Sequence, residues 1–137
     1  MRAMSDTPAF SLSESPVHLG LGATIVCQPR FTGDMEWYLA YGARHAADGR
    51  EGRLVSMSTY AKPWASWEMH PRGDELVVCI TGEITLHQEI DGAARTVTLH
   101  PGEAVVNPSG VWHTADCDAP CTALFITAGE GTENRPR

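Results

Sequence analysis

Two histidines and two glutamates in the second half of the chain have the residue types and the spacing expected of ligands to one metal ion. Glu68 and His70 are separated by a single residue, Glu75 follows after a short turn, and His113 lies much further along the chain. Imidazole nitrogens and carboxylate oxygens together suit a divalent first-row transition metal. These four residues are therefore candidate ligands of one metal centre.

Strands are the elements that must position these side chains. Residues two apart on a β-strand point to the same face, so Glu68 and His70 are expected to share a face. Glu75 opens the apolar run 76–80 and can face them from a neighbouring strand. His113 can join the other three only if the fold pairs strands that are distant in sequence.

From residue 53 onward, short runs of β-forming residues alternate with turn signals, which predicts a sandwich or a barrel. Asp91 and Gly92 stand between two such runs and predict a two-residue hairpin, because a type I′ turn needs positive φ angles. The predicted strands are 23–27, 54–60, 66–70, 76–81, 83–89, 94–99, 104–106, 112–115 and 122–127.

The region 34–47 is the one segment that favours a helix. Its apolar residues recur at helical spacing, with Asp34 as the predicted N-cap and Asp48-Gly49 as the stop, although its aromatic residues would also suit a strand. A chain of 137 residues is expected to form one domain. The predicted organisation is a loosely ordered segment over 1–16, one barrel domain over 17–128 and a polar tail over 129–137.

The spacing of these residues resembles the two motifs of the cupin superfamily. In the family's first motif, His-x-His is followed by three or four residues, a glutamate, six residues and a glycine. His70, Glu75 and Gly82 match the second histidine, the glutamate and the glycine of this motif. The second motif is Gly, five residues, Pro-x-Gly, two residues and His, and it is matched by Gly102, Pro108, Gly110 and His113.

Three positions depart from the family pattern. Glu68 stands where the first histidine of His-x-His is usual, Lys62 replaces the opening glycine, and Cys117 replaces the closing asparagine. The resemblance implies an all-β, double-stranded β-helix, or jelly-roll, barrel, here with a short N-terminal helix. It also implies a homodimer.

The role of Glu68 is left open by the sequence. It either ligates the metal with His70, Glu75 and His113, or holds a metal-bound water, or stays uncoordinated and acts as a general base. Without Glu68, two histidines and one carboxylate remain, a set that suits non-haem iron and oxygen chemistry. With Glu68, the harder and more anionic site favours Fe, Mn, Ni or Zn over copper(I). A site without metal is less plausible, because its carboxylates would repel each other.

Strand alternation also predicts the wall of a substrate pocket around the metal. The residues expected to share a face with the ligands, or to line the far side, are mostly apolar, as in most small-molecule sites. They are Trp64, Ser66, Val77, Cys79, Ala115 and Phe125, with Ala123 as an alternative to Phe125.

Two classes of function fit these predictions. The first is an enzyme of the dioxygenase, isomerase or lyase type, in which a small organic substrate binds at the metal and Glu68 is catalytic. The second is a non-catalytic, metal-dependent sensor or small-ligand binder. The fold does not choose between them, because one fold hosts many chemistries.

Composition restricts the partners. The net charge of −7 and the lack of a basic cluster argue against nucleic-acid binding. No apolar run is long enough to span a membrane, and residues 1–16 lack the apolar core of a signal peptide, so a cytoplasmic location is expected.

The four cysteines show no metal-knuckle spacing. Cys79 lies in an apolar strand and is predicted to be a buried thiol. Cys117 and Cys121 can approach each other across a turn, but a disulfide between them is not expected, because disulfides are rare in the cytoplasm.

Overall fold

The computed structural model describes residues 9–137 and contains eleven strands, one α-helix and two 3₁₀ segments within that range. The helix, α1, spans Met35–Arg44, and the 3₁₀ segments span Leu21–Ala23 and Ala46–Glu51. The strands are β1 (Val17–Gly20), β2 (Thr24–Cys27), β3 (Arg53–Tyr60), β4 (Ser66–Met69), β5 (Glu75–Thr81), β6 (Ile84–Ile90), β7 (Ala93–Leu99), β8 (Ala104–Asn107), β9 (His113–Asp116), β10 (Cys121–Thr127) and β11 (Glu133–Pro136).

These strands form two antiparallel sheets. The order is β2-β1-β3-β10-β5-β8 in the six-stranded sheet and β11-β4-β9-β6-β7 in the five-stranded sheet. Neighbours such as β3 and β10, or β4 and β9, are far apart in sequence, so the chain crosses repeatedly between the sheets. The predicted all-β barrel of two facing sheets, with a short helix, is confirmed.

The core lies between the two sheets and follows from the two-residue alternation of strands. On β5, Glu75, Val77 and Cys79 are buried while their neighbours are partly exposed, and β10 shows the same alternation. The buried apolar cluster takes side chains from both sheets, including Val77, Leu86, Ala115 and Phe125. Alternation therefore places the apolar half of each central strand, together with Glu75, inside the barrel.

The hairpin and the helix occur where the sequence predicts them. Asp91 and Gly92 both have positive φ, and they connect β6 to β7 with Ile90 paired to Ala93. The side chain of Asp34 accepts a hydrogen bond of 2.8 Å from the backbone N–H of Trp37, which caps α1. The helix ends at Arg44, slightly before the predicted stop.

Two strands had no signal in the sequence. β1 pairs with β2 and with β3, and β11 pairs with β4. β11 lies within the segment described from the sequence as a polar tail. Arg135 on β11 stacks its guanidinium on the rings of Trp67 and Trp112 and pairs with Glu89, so polar and cation–π contacts hold this strand.

The expectation that Cys117 and Cys121 are free thiols is wrong, because the two residues form a disulfide. Cys117 follows β9 and Cys121 opens β10, and the turn between these strands brings their Cα atoms to 6.4 Å. That separation lies in the usual range for disulfides. Cys79 is a buried free thiol, as predicted.

The segment 1–16 is described only from residue 9. In the described part, a turn is closed by a hydrogen bond from the Ser15 N–H to the Ser11 carbonyl, and the Phe31 N–H donates to the Glu14 carbonyl. None of the helices formed by residues 9–137 is both long enough and apolar enough to cross a membrane.

Candidate metal centre

The four candidate ligands come from both sheets and meet inside the barrel. Glu68 lies on β4, directly opposite His113 at the start of β9, and His70 follows the end of β4. Glu75 opens β5 in the other sheet, where it is paired with Thr127. The antiparallel pairing of distant strands thus brings His113 to the other three residues.

Glu75 lies between the two histidines. Its Oε1 is 3.2 Å from Nε2 of His113, and its Oε2 is 3.3 Å from Nε2 of His70. Oε2 of Glu68 lies 3.9 Å from each of these nitrogens. One donor atom from each of Glu68, His70 and His113 lies within 4.8 Å of the others. The structure therefore brings together all four residues proposed from the sequence.

The hydrogen bond at Nδ1 of each imidazole determines which of its two nitrogens carries the hydrogen when the ring is neutral. Nδ1 of His70 lies 2.8 Å from the hydroxyl of Thr132, which donates its own hydrogen to the Gly129 carbonyl. Nδ1 of His113 lies 3.3 Å from the Val111 carbonyl, which can only accept. Both Nδ1 atoms are therefore donors, so each neutral imidazole presents a lone pair at Nε2. This is the arrangement by which a second partner orients a metal-binding histidine.

Those two Nε2 atoms lack hydrogen-bond partners. Among the described residues, three buried side-chain nitrogens have none: His70 Nε2, His113 Nε2 and Trp64 Nε1. The contacts of 3.2 and 3.3 Å to Glu75 are within ion-pair distance but do not have hydrogen-bond geometry. Lone pairs that face carboxylate oxygens repel them, and an unpaired buried polar atom is costly. A cation between them would remove both penalties, so these residues fit a metal.

Glu75 is itself held in place from two sides. The amide of Asn107 donates to Oε1 at 3.0 Å, and the hydroxyl of Thr127 donates to Oε2 at 2.6 Å. Gln88 in turn donates to Asn107 at 2.7 Å and accepts from Arg95. This buried relay fixes the carboxylate, yet the sequence contained no motif that indicated its members.

The directions of the pKa shifts show that the site favours positive charge beside Glu75. Burial raises the pKa of Glu75, but the adjacent imidazoles of His113 and His70 outweigh it and hold this pKa well below its usual range. Burial lowers the pKa of His70, and the nearby Glu75 and Glu68 outweigh it, so the pKa of His70 is raised. Burial, followed by the charge of Glu75, raises the pKa of Glu68. Protons and a metal cation therefore compete for the same position.

The predicted pocket residues lie at different depths. Val77, Cys79, Ala115 and Phe125 belong to the buried apolar cluster, and Trp64 packs against it. The Trp64 ring centroid is 6.4 Å from that of His113 and 5.9 Å from that of Phe125. Ser66 is half-buried on β4, and its carbonyl accepts from the Thr114 hydroxyl. Of these residues, Trp64 is the one with a ring contact to a candidate ligand.

Two tyrosines near the site were not identified from the sequence. Burial, and then the charges of Glu68 and Glu75, raises the pKa of Tyr38 on α1 to about 12. Burial also raises the pKa of Tyr60, and Glu68 and Glu75 add to that shift. The helix and β3 thus place phenol groups within the electrostatic reach of the candidate ligands, although neither tyrosine belongs to a spacing motif.

A second cluster of potential donors lies outside the barrel interior. His18, His45 and Asp48 bring donor atoms within 4.8 Å of one another. Unlike the first site, both ring nitrogens of His18 already have partners at 2.6 Å, Tyr41 and Asp48. These contacts join β1 to α1 and to the 3₁₀ segment after it, so the cluster is explained as a structural network.

Residues 58–127 match the model of the cupin domain family. Among curated proteins, none is similar enough to count as a match. Bacillus subtilis oxalate decarboxylase, solved in a study of its Mn(II) centres, is 20% identical with a TM-score of 0.52, over 69% of this chain and 26% of that chain.

Two further solved structures are similar in fold. A cupin-2 domain protein from Shewanella frigidimarina is 22% identical with a TM-score of 0.47, over 62% of this chain and 71% of that one. Hydroquinone 1,2-dioxygenase from Sphingomonas sp. TTNP3, with 4-hydroxybenzoate bound, is 17% identical with a TM-score of 0.47, over 55% of this chain and 59% of that one. This chain therefore spans less than two thirds of the length of the oxalate decarboxylase and of the hydroquinone dioxygenase. Because the family model matches more than half of the residues of this chain, the chain belongs to the cupin domain family.

Proposed function

We propose that this protein binds one divalent transition-metal ion inside the barrel and acts there on a small organic molecule. The proposal rests on one observation: Nε2 of His70 and Nε2 of His113 are buried, have no hydrogen-bond partner and lie beside Glu75. His70, His113 and Glu75 would hold the ion, and Glu68 would complete the set.

The donor set restricts the identity of the ion. Two imidazoles and two carboxylates suit Mn, Fe, Ni or Zn, and they disfavour soft copper(I). The bound ion would supply Lewis-acid or redox chemistry of the dioxygenase, isomerase or lyase type. The oxalate decarboxylase of similar fold contains Mn(II) centres, so this architecture is compatible with such an ion.

If Glu68 does not bind the ion, it is instead the candidate acid–base group. Its side chain is 33% exposed, whereas the side chains of His70, Glu75 and His113 are at most 6% exposed. A partly exposed carboxyl beside a metal can exchange a proton with solvent or with a bound molecule, which buried ligands cannot do. This difference in exposure favours an enzyme over a non-catalytic binding module.

The surroundings favour a compact, partly apolar molecule with oxygen atoms that face the ion. Trp64, Tyr60 and Phe125 form an aromatic group beside His113, with ring centroids 5.6 to 6.4 Å apart. Glu68, Glu75 and the net charge of −7 would repel polyanions such as nucleotides. Small carboxylates, enols and phenolic compounds are therefore the proposed ligand class. The homodimer and the cytoplasmic location stay predictions.

Metal analysis of protein purified without an affinity tag tests the proposal. About one divalent ion per chain is expected, and His113→Ala or Glu75→Ala should remove most of it. His100→Ala is the matched control, because His100 is a largely exposed histidine that pairs with Glu83 and Glu103. Full metal content in both ligand variants would contradict the site. Among ligands that bind the loaded protein, consumption indicates an enzyme and unchanged recovery indicates a binding module.

A further inference from the structure

Over residues 9–137, the indole nitrogen of Trp64 is the third buried side-chain nitrogen without a partner, and the proposed metal ion does not explain it. An indole N–H can donate a hydrogen bond but cannot accept one or bind a metal as a lone-pair ligand. Buried polar groups without a partner are rare in native structures, and each requires an explanation. The N–H of Trp64 therefore requires an acceptor.

The position of Trp64 shows where that acceptor would lie. The indole ring packs edge-on against the ring of His113, with centroids 6.4 Å apart, and it also contacts Tyr60 and Phe125. The indole thus contacts the histidine that carries one of the other unpaired nitrogens. The three residues with unpaired nitrogens are thus linked by ring contacts, since the rings of His113 and His70 also lie 5.1 Å apart.

The backbone of Trp64 is held from both sides, which fixes the point from which its side chain projects. Its N–H donates to the Ala115 carbonyl at 2.9 Å, and its carbonyl accepts from the Arg137 guanidinium at 3.1 Å. Arg137 also donates to the Ala115 carbonyl and pairs with Asp116. The backbone is thus anchored, and the indole packs against the rings of Tyr60, His113 and Phe125 while its own N–H has no partner.

We propose that the Trp64 N–H binds an oxygen atom of the molecule held at the metal centre and selects small carboxylates with an apolar body. This inference rests on the proposed function. A carboxylate that directs one oxygen to a cation has a second oxygen left to accept a hydrogen bond, and N–H bonds to charged acceptors are stronger than those to neutral ones. The rings of Tyr60 and Phe125 supply apolar contact for the rest of the molecule.

Selectivity follows from the same unpaired donor. A site built around a buried hydrogen-bond donor discriminates against molecules that cannot satisfy it, because they leave the donor unpaired when they exclude water. Among ligands that reach the metal, those with a free carboxylate oxygen should therefore bind more tightly than those without an acceptor. Trp64 is then a residue that determines specificity.

Substitution by phenylalanine tests this role, because it keeps an aromatic ring but removes the N–H. In the cobalt-substituted protein, benzoate and imidazole are titrated against the metal's visible spectrum; imidazole binds metals but has no oxygen acceptor. Trp64→Phe should keep one cobalt per chain, weaken benzoate about tenfold and leave imidazole within about twofold. Trp67→Phe is the control, because Trp67 packs against Arg135 on β11. It should leave both affinities unchanged.

A second measurement uses the unaltered protein and does not depend on a variant that folds. In the zinc-loaded, ¹⁵N-labelled protein, the indole N–H resonance of Trp64, one of four tryptophans, should move downfield when benzoate binds and stay in place with imidazole.

Three results would overturn the inference. They are equal benzoate affinity in Trp64→Phe and the unaltered protein, equal weakening of benzoate and imidazole, and an indole resonance that does not respond to benzoate. Failure of the unaltered protein to bind cobalt would instead overturn the proposed function, and the inference with it.

Discussion

The hydroxyl of Thr127 donates a hydrogen bond of 2.6 Å to Oε2 of Glu75, the oxygen that faces Nε2 of His70 at 3.3 Å. The two residues are directly paired across β10 and β5. Asn107 holds the other oxygen of the same carboxylate from β8. The orientation of Glu75 towards the histidines is therefore set by three neighbouring strands of one sheet.

Removing this hydroxyl should weaken metal binding without removing a ligand. Thr127→Val keeps the size of the side chain but frees Oε2, and loss of such a supporting hydrogen bond typically costs 10- to 100-fold in metal affinity. Competition with a chelator of known affinity measures the change. Thr122→Val on the same strand, where the hydroxyl meets Thr59, is the control and should leave the affinity unchanged. Equal affinities in Thr127→Val and the unaltered protein would show that this hydroxyl does not support the site.

Acid should release the metal. His70 and His113 must be neutral to ligate, so protons compete with the ion and the affinity falls as the pH falls. Because a bound cation opposes protonation, release should begin below the free histidine value of roughly 6.5. Glu75 should stay charged over this range, since its pKa is held well below its usual value. Metal content is measured after dialysis at each pH, and unchanged content down to about pH 3 would argue against histidine ligands.

Two substitutions distinguish whether Glu68 is a metal ligand or a general base. Glu68→Gln replaces a charged donor with a neutral amide, so metal affinity should fall, by about tenfold, if the residue ligates. Glu68→His restores the usual family residue and should keep the metal. Affinity is measured by chelator competition, and turnover is measured on any consumed ligand. If Glu68→Gln retains affinity but loses turnover, the residue is a base. If neither changes, Glu68 is not part of the site.

The capping interaction of α1 should be measurable as stability. Asp34→Ala removes the acceptor for the Trp37 N–H, and loss of an N-cap typically lowers the free energy of unfolding by about 1 kcal/mol. Urea denaturation followed by tryptophan fluorescence measures this change. Asp118→Ala, at an exposed position in the turn between β9 and β10, is the control. A change of less than about 0.3 kcal/mol in Asp34→Ala would show that the cap does not stabilise the helix.

Elements with strong local signals could be predicted from the sequence. The β-forming runs, the Asp91-Gly92 hairpin and the cap at Asp34 each depend on residues that are close together in the chain, and all three occur in the structure. β1 and β11 could not be predicted, because their stability comes from distant contacts. His18 on β1 is buried only because Tyr41 and Asp48 supply partners, and Arg135 holds β11 through Trp67 and Trp112.

The sequence by itself determined the family resemblance and the four candidate ligands, because motif spacing depends only on residue order. Tertiary structure alone decided which atoms face one another. It fixed the Nδ1 donors of His70 and His113, left both Nε2 atoms and Trp64 Nε1 without partners, and joined Cys117 to Cys121. Hydrogen bonds and disulfides require atoms within a few ångströms in the right orientation, and this geometry depends on the folded backbone even for residues as close in sequence as Cys117 and Cys121.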